Sequence, residues 1–498
     1  HLDQIGLAQL NEIEPILDQF KQQHKPVIAW GTHYEQRQYL LASHSSQIFL
    51  DPMGDVMITG FGHARNYYRD ALDKIGIQVH LMKVGTYKSF AEPFIANGPS
   101  QAATEADQSL YQALWHNTTR DIENARQLPA GSLQQTIDNI PVLLTENQGN
   151  TAQLALKEHW VDNLLTHEEL LHYLLNLGIA PNKSKSGVQT VNFFDYLAQL
   201  PPDEAGSSIA VIVAAGEIQD GQGKLGTIGG DTTSALIREA RLDKETKAIV
   251  LRVDSPGGSA FASEQIRREL ALAKKQGLPV LVSMGNVAAS GGYWISLAAD
   301  KVYADPDTVT GSIGVFSLFP TADLLMQKLG VHSAGVTTTW LSDAQNPLRP
   351  MDPRFEAILQ SSVNHIYSEF VQRTADAHHK TTAEVDQVAQ GRVWDGRQAL
   401  AFGLIDELGS FTDAINQAAE LAHTKTFHLT YFDTDNNWFD RVLANNSTLF
   451  SQLLMRAFAG QNSIPINSFI QPLSPLLKTL STTSSPQITA HCLCVNPI

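Results

Sequence analysis

The chain has 498 residues, and at roughly 150 residues per domain this length predicts two to four domains. Hydrophobic residues make up 43% of the chain, which excludes intrinsic disorder for most of it, because disordered segments are poor in such residues. The formal net charge is −16, from 35 basic and 51 acidic residues. A broad nucleic-acid-binding surface, which would need clustered Lys and Arg, is therefore excluded.

Three features of the chain limit its cofactors and its topology. Cys492 and Cys494 are the two cysteines, and their spacing excludes a disulfide framework because a bond between them would close almost no loop. No second Cys/His pair at ligand spacing accompanies them, so no metal site is predicted. The longest apolar run, residues 209–215, has the length of a strand rather than of a membrane-spanning helix. Since the chain begins with His1 rather than Met, we expect the natural N-terminus to be missing, and any signal peptide or membrane anchor would lie upstream.

The predicted elements are clearest in the second half of the chain. Short apolar runs that end in glycine predict strands, and amphipathic stretches between them predict helices. Strands that alternate with helices indicate parallel βαβ units with right-handed crossovers, an α/β fold. The predicted strands are residues 209–216, 247–254, 279–284 and 301–304, and the predicted helices are residues 232–242, 262–275 and 289–299.

The first half of the chain repeats part of this pattern. The segment from Gly31 to Asp51 aligns without a gap with the segment from Gly285 to Asp305, at an offset of 254 residues. In this alignment His1 stands near Ser255, so we expect the first copy to lack its opening strands. The repeat predicts the following division: an N-terminal repeat at residues 1–180, a linker at 181–206, a C-terminal repeat at 207–425, and a partly loosely ordered C-terminal extension at 426–498 that includes a Pro/Ser/Thr-rich tail at 463–485.

Ser290 is the first candidate for a reacting group. It follows a predicted strand and opens a helix, where free N–H groups favour negative charge. Gly291 and Gly292 follow it and would let a substrate backbone approach closely. In the alternative interpretation, Ser290 only caps the helix and the glycines serve close packing.

A second glycine turn, Asp254-Ser-Pro-Gly-Gly258, also lies between a strand and a helix. Paired glycines in such a turn can direct backbone N–H groups into a cleft and form an oxyanion hole. Two such turns on parallel strands converge on the carboxyl edge of the sheet, where ligands usually bind. The alternative is an ordinary tight turn between a strand and a helix.

A serine nucleophile needs a base. Of the 17 histidines none stands out, and His365, His378 and His379 are interpreted as surface or packing residues. Lys88 stands beside a glycine turn with apolar neighbours. Burial there would lower its pKa, and a neutral amine can accept the proton of a serine. A surface lysine is the alternative.

The repeat strengthens the pairing of Lys88 with Ser290. Gln36 stands opposite Ser290 in the first copy, and Thr338 stands opposite Lys88 in the second when a short gap is allowed. Each copy thus keeps half of a possible dyad. This complementary loss indicates that the two halves close over one site, and it favours a dyad within one chain over a dyad across subunits.

At these residues the chain resembles the signal peptide peptidase A family, also called protease IV, in its long, duplicated bacterial form. The resemblance covers essentially the whole chain, and it implies an α/β fold of two tandem crotonase/ClpP-like repeats with parallel sheets. It implies a serine endopeptidase that degrades cleaved signal peptides and other extended apolar peptides. The motifs that carry it are residues 84–94, 254–258, 287–293 and 310–314.

The resemblance also implies a role for particular residues. Ser290 would be the nucleophile, Lys88 the general base, and Ser312 a residue that orients the lysine amine. The backbone N–H groups of Gly258 and Gly291 would form the oxyanion hole. No cofactor or metal is implied.

For partners and location, the resemblance implies a homotetramer on the periplasmic side of the bacterial inner membrane, held by an N-terminal anchor that this chain lacks. Its substrates would be unfolded apolar peptides, and nucleic acid is not among the expected partners. Two alternatives are a crotonase-like acyl-CoA enzyme, which would use carboxylate bases and need no serine, and a non-catalytic peptide-binding scaffold. The presence of both Ser290 and Lys88 argues against each of them.

Overall fold

The computed structural model describes residues 5–62, 64–181, 187–201, 205–224, 226–433 and 488–492. Within these ranges the chain has a mixed α/β fold in which most strands are followed by helices. The elements of the first half are α1 (Leu7–Gln22), β1 (Ile28–Glu35), α2 (Gln36–Ser43), β2 (Gln47–Met57), α3 (Arg69–Ile75), β3 (Gln78–Val84), α4 (Glu92–Ile95), α5 (Gln101–Ala125), α6 (Ser132–Glu146), α7 (Thr151–Lys157), β4 (Asn163–Leu164) and α8 (His167–Asn176).

The short helix α9 (Phe193–Leu197) lies in the predicted linker, and the second copy follows it. Its elements are β5 (Ser207–Ala215), β6 (Glu217–Gln219), β7 (Thr227–Gly229), α10 (Gly230–Leu242), β8 (Thr246–Ser255), β9 (Gly257–Ser259), α11 (Ala260–Lys275), β10 (Val280–Ala289), α12 (Gly291–Ser296), β11 (Lys301–Ala304), β12 (Val309–Gly311), β13 (Val315–Thr321), α13 (Asp323–Lys328), a 3₁₀ turn (Trp340–Asp343), α14 (Pro353–Ala377), α15 (Thr382–Val388), β14 (Val393–Trp394), α16 (Gly396–Ala401), β15 (Glu407–Leu408), α17 (Phe411–Leu421), β16 (Phe427–Tyr431) and β17 (Ile488–His491).

The two halves contain the same succession of elements. The series β1, α2 and β2 of the first copy corresponds to β10, α12 and β11 of the second. The long helices α5 and α14 both have 25 residues. The pair β4 and α8 ends the first copy as β15 and α17 end the second. The predicted repeat and the α/β fold are therefore confirmed.

The main sheet of the second copy has eight strands, with the order β14-β12-β10-β8-β5-β16 and with β11 and β15 joined at β10. Its central strands β5, β8 and β10 are parallel. Ile209 and Val250 pack with α17 on one face, whereas Ile212 and Leu251 pack with α10 and α11 on the other. Because both faces are covered, these strands are continuous apolar runs rather than alternating ones.

The first copy has a parallel sheet of three strands in the order β1-β2-β4. Its core contains Leu10, Tyr39 and Ile48, and it also includes Val287 and Val309 from the second copy. The hydrophobic core of the first copy therefore continues directly into strands β10 and β12 of the second, which fixes the two copies against each other.

A third sheet joins the copies. Its six strands have the order β3-β13-β17-β9-β6-β7. Strand β3 of the first copy pairs antiparallel with β13 of the second, and Val84 lies opposite Val315. This pairing brings the loop that follows β3 beside the loop that precedes β13. Lys88 lies in the first of these loops and Ser312 in the second.

Two segments differ from their predicted extents. The strand predicted at 279–284 continues to Ala289, because residues 287–289 pair with β12, and the helix predicted at 289–299 is shortened to α12. Strand β16, in the predicted extension, pairs in parallel with β5. The loosely ordered tail predicted at 463–485 lies outside the described residues, and the domain boundaries stay predictions.

Candidate active site

Ser290 lies at the junction of β10 and α12. Its backbone has φ 57° and ψ −114°, a conformation that L-residues rarely adopt and that is found at functional sites. Its N–H donates to the Gly311 carbonyl at 2.8 Å. The Ser290 hydroxyl makes no capping hydrogen bond to α12, so the helix-cap interpretation is wrong for this serine. The side chain is directed elsewhere.

The Ser290 side chain is directed to Lys88. The Nζ atom of Lys88 lies 2.7 Å from Ser290 Oγ, a hydrogen bond that joins residues 202 positions apart. Lys88 is 3% exposed and Ser290 is fully buried. Burial holds the pKa of Lys88 well below its ordinary value, because a buried ammonium loses its solvation. A neutral amine in contact with a serine hydroxyl is able to accept its proton.

Ser312 completes the contacts of the amine. Lys88 Nζ donates to Ser312 Oγ and to the Ser312 carbonyl oxygen, each at 3.1 Å. Ser312 also has a positive φ, 53°, and its N–H donates to the Arg392 carbonyl at 2.7 Å. The two acceptors on one residue fix the direction of the Nζ atom towards Ser290.

The two glycine turns meet beside Ser290, as their positions on adjacent parallel strands predict. A Cβ atom built on Gly291 would lie 3.1 Å from the backbone nitrogen of Gly258. The Asp254 carboxylate ties the turns together, since it accepts from Val287 N–H at 3.1 Å and from Asn286 Nδ2 at 3.0 Å. The turns at Gly258 and Gly291 therefore lie against each other beside the buried serine, which is where an oxyanion hole would need its backbone N–H groups.

Sequence reasoning missed the loop between α15 and β14, which holds the Lys88 segment. The Gln390 carbonyl accepts from Tyr87 N–H at 2.8 Å. A Cβ atom on Gly391 would lie 2.7 Å from the backbone nitrogen of Lys88 and 2.8 Å from its Cβ. Gly391 is separated from Lys88 by about three hundred residues, so no local spacing could have indicated it.

This contact gives a prediction for Gly391→Val. The added side chain would push Lys88 away from Ser290, and a displacement of about 1 Å costs roughly 100-fold in rate. Steady-state hydrolysis of a peptide substrate should show kcat reduced by about that factor. Gly330→Val is the matched control, because Gly330 also has a positive φ, 69°, but a Cβ there meets nothing within 4 Å. Equal losses in both variants would contradict the proposed contact.

Strand β17 also enters this site, which the sequence did not predict. It pairs antiparallel with β9 on one side and with β13 on the other. The sole sequence signal is the short alternation Ile488-Thr-Ala-His491, which is typical of a strand but too brief to place it.

Away from Ser290, one cluster among the described residues has the residue types of a metal site. Ligand atoms of Glu14, His44 and Asp121 lie within 4.8 Å of one another. His44 Nε2 lies 3.0 Å from Asp121 Oδ2 and 3.6 Å from Glu14 Oε2. His44 pairs with Asp121, and burial raises the pKa of Glu14 to about 8. We assign no ligand to this cluster.

Within the described part of the chain, no helix is both long enough and apolar enough to cross a bilayer.

The chain is similar in sequence to known peptidases. The sequence model described as Peptidase family S49 matches residues 19–174 and 272–425, the two copies of the repeat. A protein named Protease 4 from Salmonella typhi is 40% identical over 482 residues, which is 96% of this chain and 78% of that protein. A protein of Enterococcus faecium named Putative signal peptide peptidase SppA is 36% identical over 180 residues, which is 36% of this chain and 52% of that protein.

Among solved structures, a ClpP1 mutant from Listeria monocytogenes is similar at 15% sequence identity, with a TM-score of 0.27. The match covers 41% of this chain and 94% of that chain.

Proposed function

The chain belongs to peptidase family S49, and from that premise we propose that it is a serine endopeptidase in which Ser290 is the nucleophile and Lys88 the general base. The observation that carries this proposal is the 2.7 Å contact between Lys88 Nζ and Ser290 Oγ, within one chain and between the two copies of the repeat. Family membership favours the peptidase over the acyl-CoA enzyme and over the non-catalytic scaffold.

The geometry supports the following sequence of steps. The neutral amine of Lys88 accepts the hydroxyl proton as Ser290 Oγ attacks the carbonyl carbon of the substrate. The N–H groups of Gly258 and Gly291 donate to the oxygen that becomes negative. Lys88 then gives its proton to the leaving amine, and water hydrolyses the acyl-enzyme with Lys88 again as the base. Ser312 accepts from the amine at both its Oγ and its carbonyl oxygen, so its role is to hold the Nζ atom in place.

The substrates we propose are signal peptides after their release from secreted proteins, and other extended apolar peptides. The groove between strands β9 and β13 holds the extended segment β17, which pairs with both strands, and an extended peptide substrate would bind through backbone pairing of the same kind. Phe90 and Phe316 stack with their ring centroids 5.0 Å apart next to this groove and offer apolar surface. A folded protein cannot present its backbone in this way, so we expect it to be resistant.

We also propose a homotetramer that acts on the periplasmic side of the bacterial inner membrane. This part of the proposal rests on the resemblance to signal peptide peptidase A. An enzyme on the periplasmic side of the membrane would reach most directly the signal peptides that remain in the membrane after secretion.

Covalent labelling tests the proposed nucleophile. The protein is incubated with a peptide-like, serine-acylating inhibitor, and its intact mass is measured. We expect a single adduct in the wild type and none in Ser290→Ala, because the activated Oγ is the acceptor. An adduct that persists in Ser290→Ala, or no adduct in a folded wild-type sample, would overturn the assignment.

A further inference from the structure

Arg392 contacts both of the loops that surround the Lys88 amine. Its backbone carbonyl accepts from Ser312 N–H at 2.7 Å, in the second copy of the repeat. Its side chain extends to the first copy, where the guanidinium carbon lies 5.0 Å from the centroid of the Tyr87 ring. Tyr87 immediately precedes Lys88 in the chain. One residue therefore holds the neighbour of Lys88 on one side and the residue that accepts from Lys88 Nζ on the other.

The Arg392 guanidinium rests on a second aromatic ring, which is itself fixed. Its carbon atom lies 4.5 Å from the centroid of the Trp394 ring. Trp394 is 6% exposed, its Nε1 donates to the Val388 carbonyl at 2.9 Å, and its ring packs on Phe402 at 4.5 Å between centroids. A guanidinium over an aromatic face is attracted by the negative potential of the ring. The Tyr87 ring is thus connected, through Arg392, to a rigid part of the second copy.

The ring contacts, more than the hydrogen bonds, determine where this guanidinium lies. Arg392 Nη1 donates to Glu105 Oε1 at 2.9 Å, but the Glu105 side chain is 54% exposed, and exposed ion pairs stabilise little. The Nε atom of Arg392 is buried and has no hydrogen-bond partner among the described residues. An arginine that leaves a buried donor unpaired is held by its planar contacts. A lysine cannot make these contacts in the same way, because its ammonium is compact and strongly hydrated.

The loop that carries Lys88, residues 85–89, depends on this support. Its backbone is attached to the second copy where Tyr87 N–H donates to the Gln390 carbonyl at 2.8 Å. The Tyr87 side chain is held separately, by Arg392. If that second attachment were lost, the loop could move away at Tyr87. Such a movement would displace Lys88 Nζ from Ser290 and admit water to an amine that is now enclosed in a residue 3% exposed.

We propose that Arg392 is a positioning residue for the Lys88 base: its side chain locks Tyr87 to Trp394 and so keeps the Lys88 amine directed to Ser290 and out of water. This inference rests on the proposed function. Arg392 acts through Tyr87 and Ser312 rather than on the reacting atoms themselves.

Arg392→Met tests this role, because it keeps an unbranched apolar side chain and removes the planar cation. We expect kcat for peptide hydrolysis to fall by about 100-fold, as a displacement of about 1 Å does. KM should stay within a few-fold, since Arg392 lies on neither strand of the substrate groove. The rise of kcat with pH should move upward by roughly one pH unit, because water that reaches the amine restores part of the ordinary pKa of Lys88. Steady-state kinetics across the neutral and alkaline range measures all three. An unchanged pH midpoint would overturn the proposal, even if kcat fell.

Arg252→Met is the matched control. The Arg252 side chain is 13% exposed, its guanidinium lies 5.5 Å from the centroid of the Phe411 ring, and its Nη1 donates to Glu12 of the first copy at 2.9 Å. It therefore also joins the two copies through a ring and a glutamate, but its other hydrogen bonds go to Ser283 and Met284. Loss of this residue should lower stability in urea unfolding and leave the pH midpoint of kcat unchanged. An equal shift of the midpoint in Arg252→Met would show that general loosening of the copies, not Arg392, moves the amine.

A double-mutant cycle tests whether Arg392 acts through Tyr87. Tyr87→Ala should lower kcat and shift the pH midpoint as Arg392→Met does. The double variant should be no slower than the slower single variant, because both changes remove the same contact. Arg392→Lys should not restore the rate, since it keeps the charge without the planar contact. Losses that multiply to about ten-thousand-fold in the double variant would contradict a shared contact.

The two proposals can fail separately. If the wild type is labelled at Ser290 and hydrolyses peptides, but Arg392→Met keeps the wild-type kcat and pH midpoint, the positioning role is wrong and the proposed function stands. If the wild type is neither labelled nor active on peptides, the proposed function itself is wrong.

Discussion

Replacement of Ser290 by alanine should reduce kcat for peptide hydrolysis by roughly a million-fold, the scale seen when a serine peptidase loses its nucleophile. The proposed pathway passes through an ester at Ser290 Oγ, and the Cβ hydrogens of alanine can neither attack a carbonyl nor carry an acyl group. The fold should persist, because the Ser290 hydroxyl makes no capping bond to α12. Steady-state kinetics on an unfolded peptide measures the loss of kcat. Circular dichroism of the wild type and of Ser290→Ala checks that the fold is kept.

Ser296→Ala is the matched control. Ser296 is also buried on α12, and its hydroxyl donates to the Tyr293 carbonyl at 2.6 Å, with no contact to Lys88 among its hydrogen bonds. Its loss should lower stability by about 1 kcal/mol and leave kcat within a few-fold of the wild type. Turnover by Ser290→Ala near the wild-type rate would contradict the proposed nucleophile.

Replacement of Lys88 by methionine should reduce kcat by roughly a thousand-fold or more, the contribution of a general base. Methionine keeps the length of the side chain but has no basic nitrogen. Lys88→Arg should be inactive as well, because a guanidinium stays protonated and cannot accept the serine proton. Lys83→Met, on the same loop-bearing strand β3 and half-buried, should keep full activity. Activity retained in Lys88→Arg would show that charge rather than a free base is required.

The pH dependence of the wild type follows from the sign of the Lys88 pKa shift. Burial lowers the pKa of this amine, and the neutral form is the base. The rate should therefore rise with pH through the lowered pKa and become constant above it. The unfolded chain binds more protons than the folded one between the lowered and the ordinary pKa, so this residue makes stability increase with pH across that window. Lys88→Met should lack that increase in urea unfolding curves measured at several pH values.

The site could be predicted from the sequence to the extent that its parts are local. Ser290 and the turn at residues 254–258 stand at strand ends followed by helices, and parallel strands bring such ends to one edge. Lys88 could be paired with Ser290 only through the repeat, because Gln36 stands opposite Ser290 in the first copy and Thr338 stands opposite Lys88 in the second. The structure brings Lys88 Nζ within 2.7 Å of Ser290 Oγ, and the catalytic roles stay predictions.

Other parts of the site have no local signal. Gly391 is recognisable only from its contact with the Lys88 backbone, which depends on how α15 and β14 pack. Strand β17 pairs through its backbone with β9 and β13. Since every residue except proline offers the same backbone groups, pairing of that kind leaves almost no trace in the residue types.

The sequence by itself determined the duplicated α/β fold and singled out the candidate serine, lysine and glycines, because apolar periodicity, glycine turns and residues lost from one copy can all be read from the order of residues. The tertiary structure decided which groups surround these residues and how their side chains are directed. It alone enclosed the Lys88 amine, which lowers its pKa, and directed the Ser290 hydroxyl to that amine rather than to α12. Each of these depends on groups brought together from distant parts of the chain, where burial and backbone pairing act without regard to sequence separation.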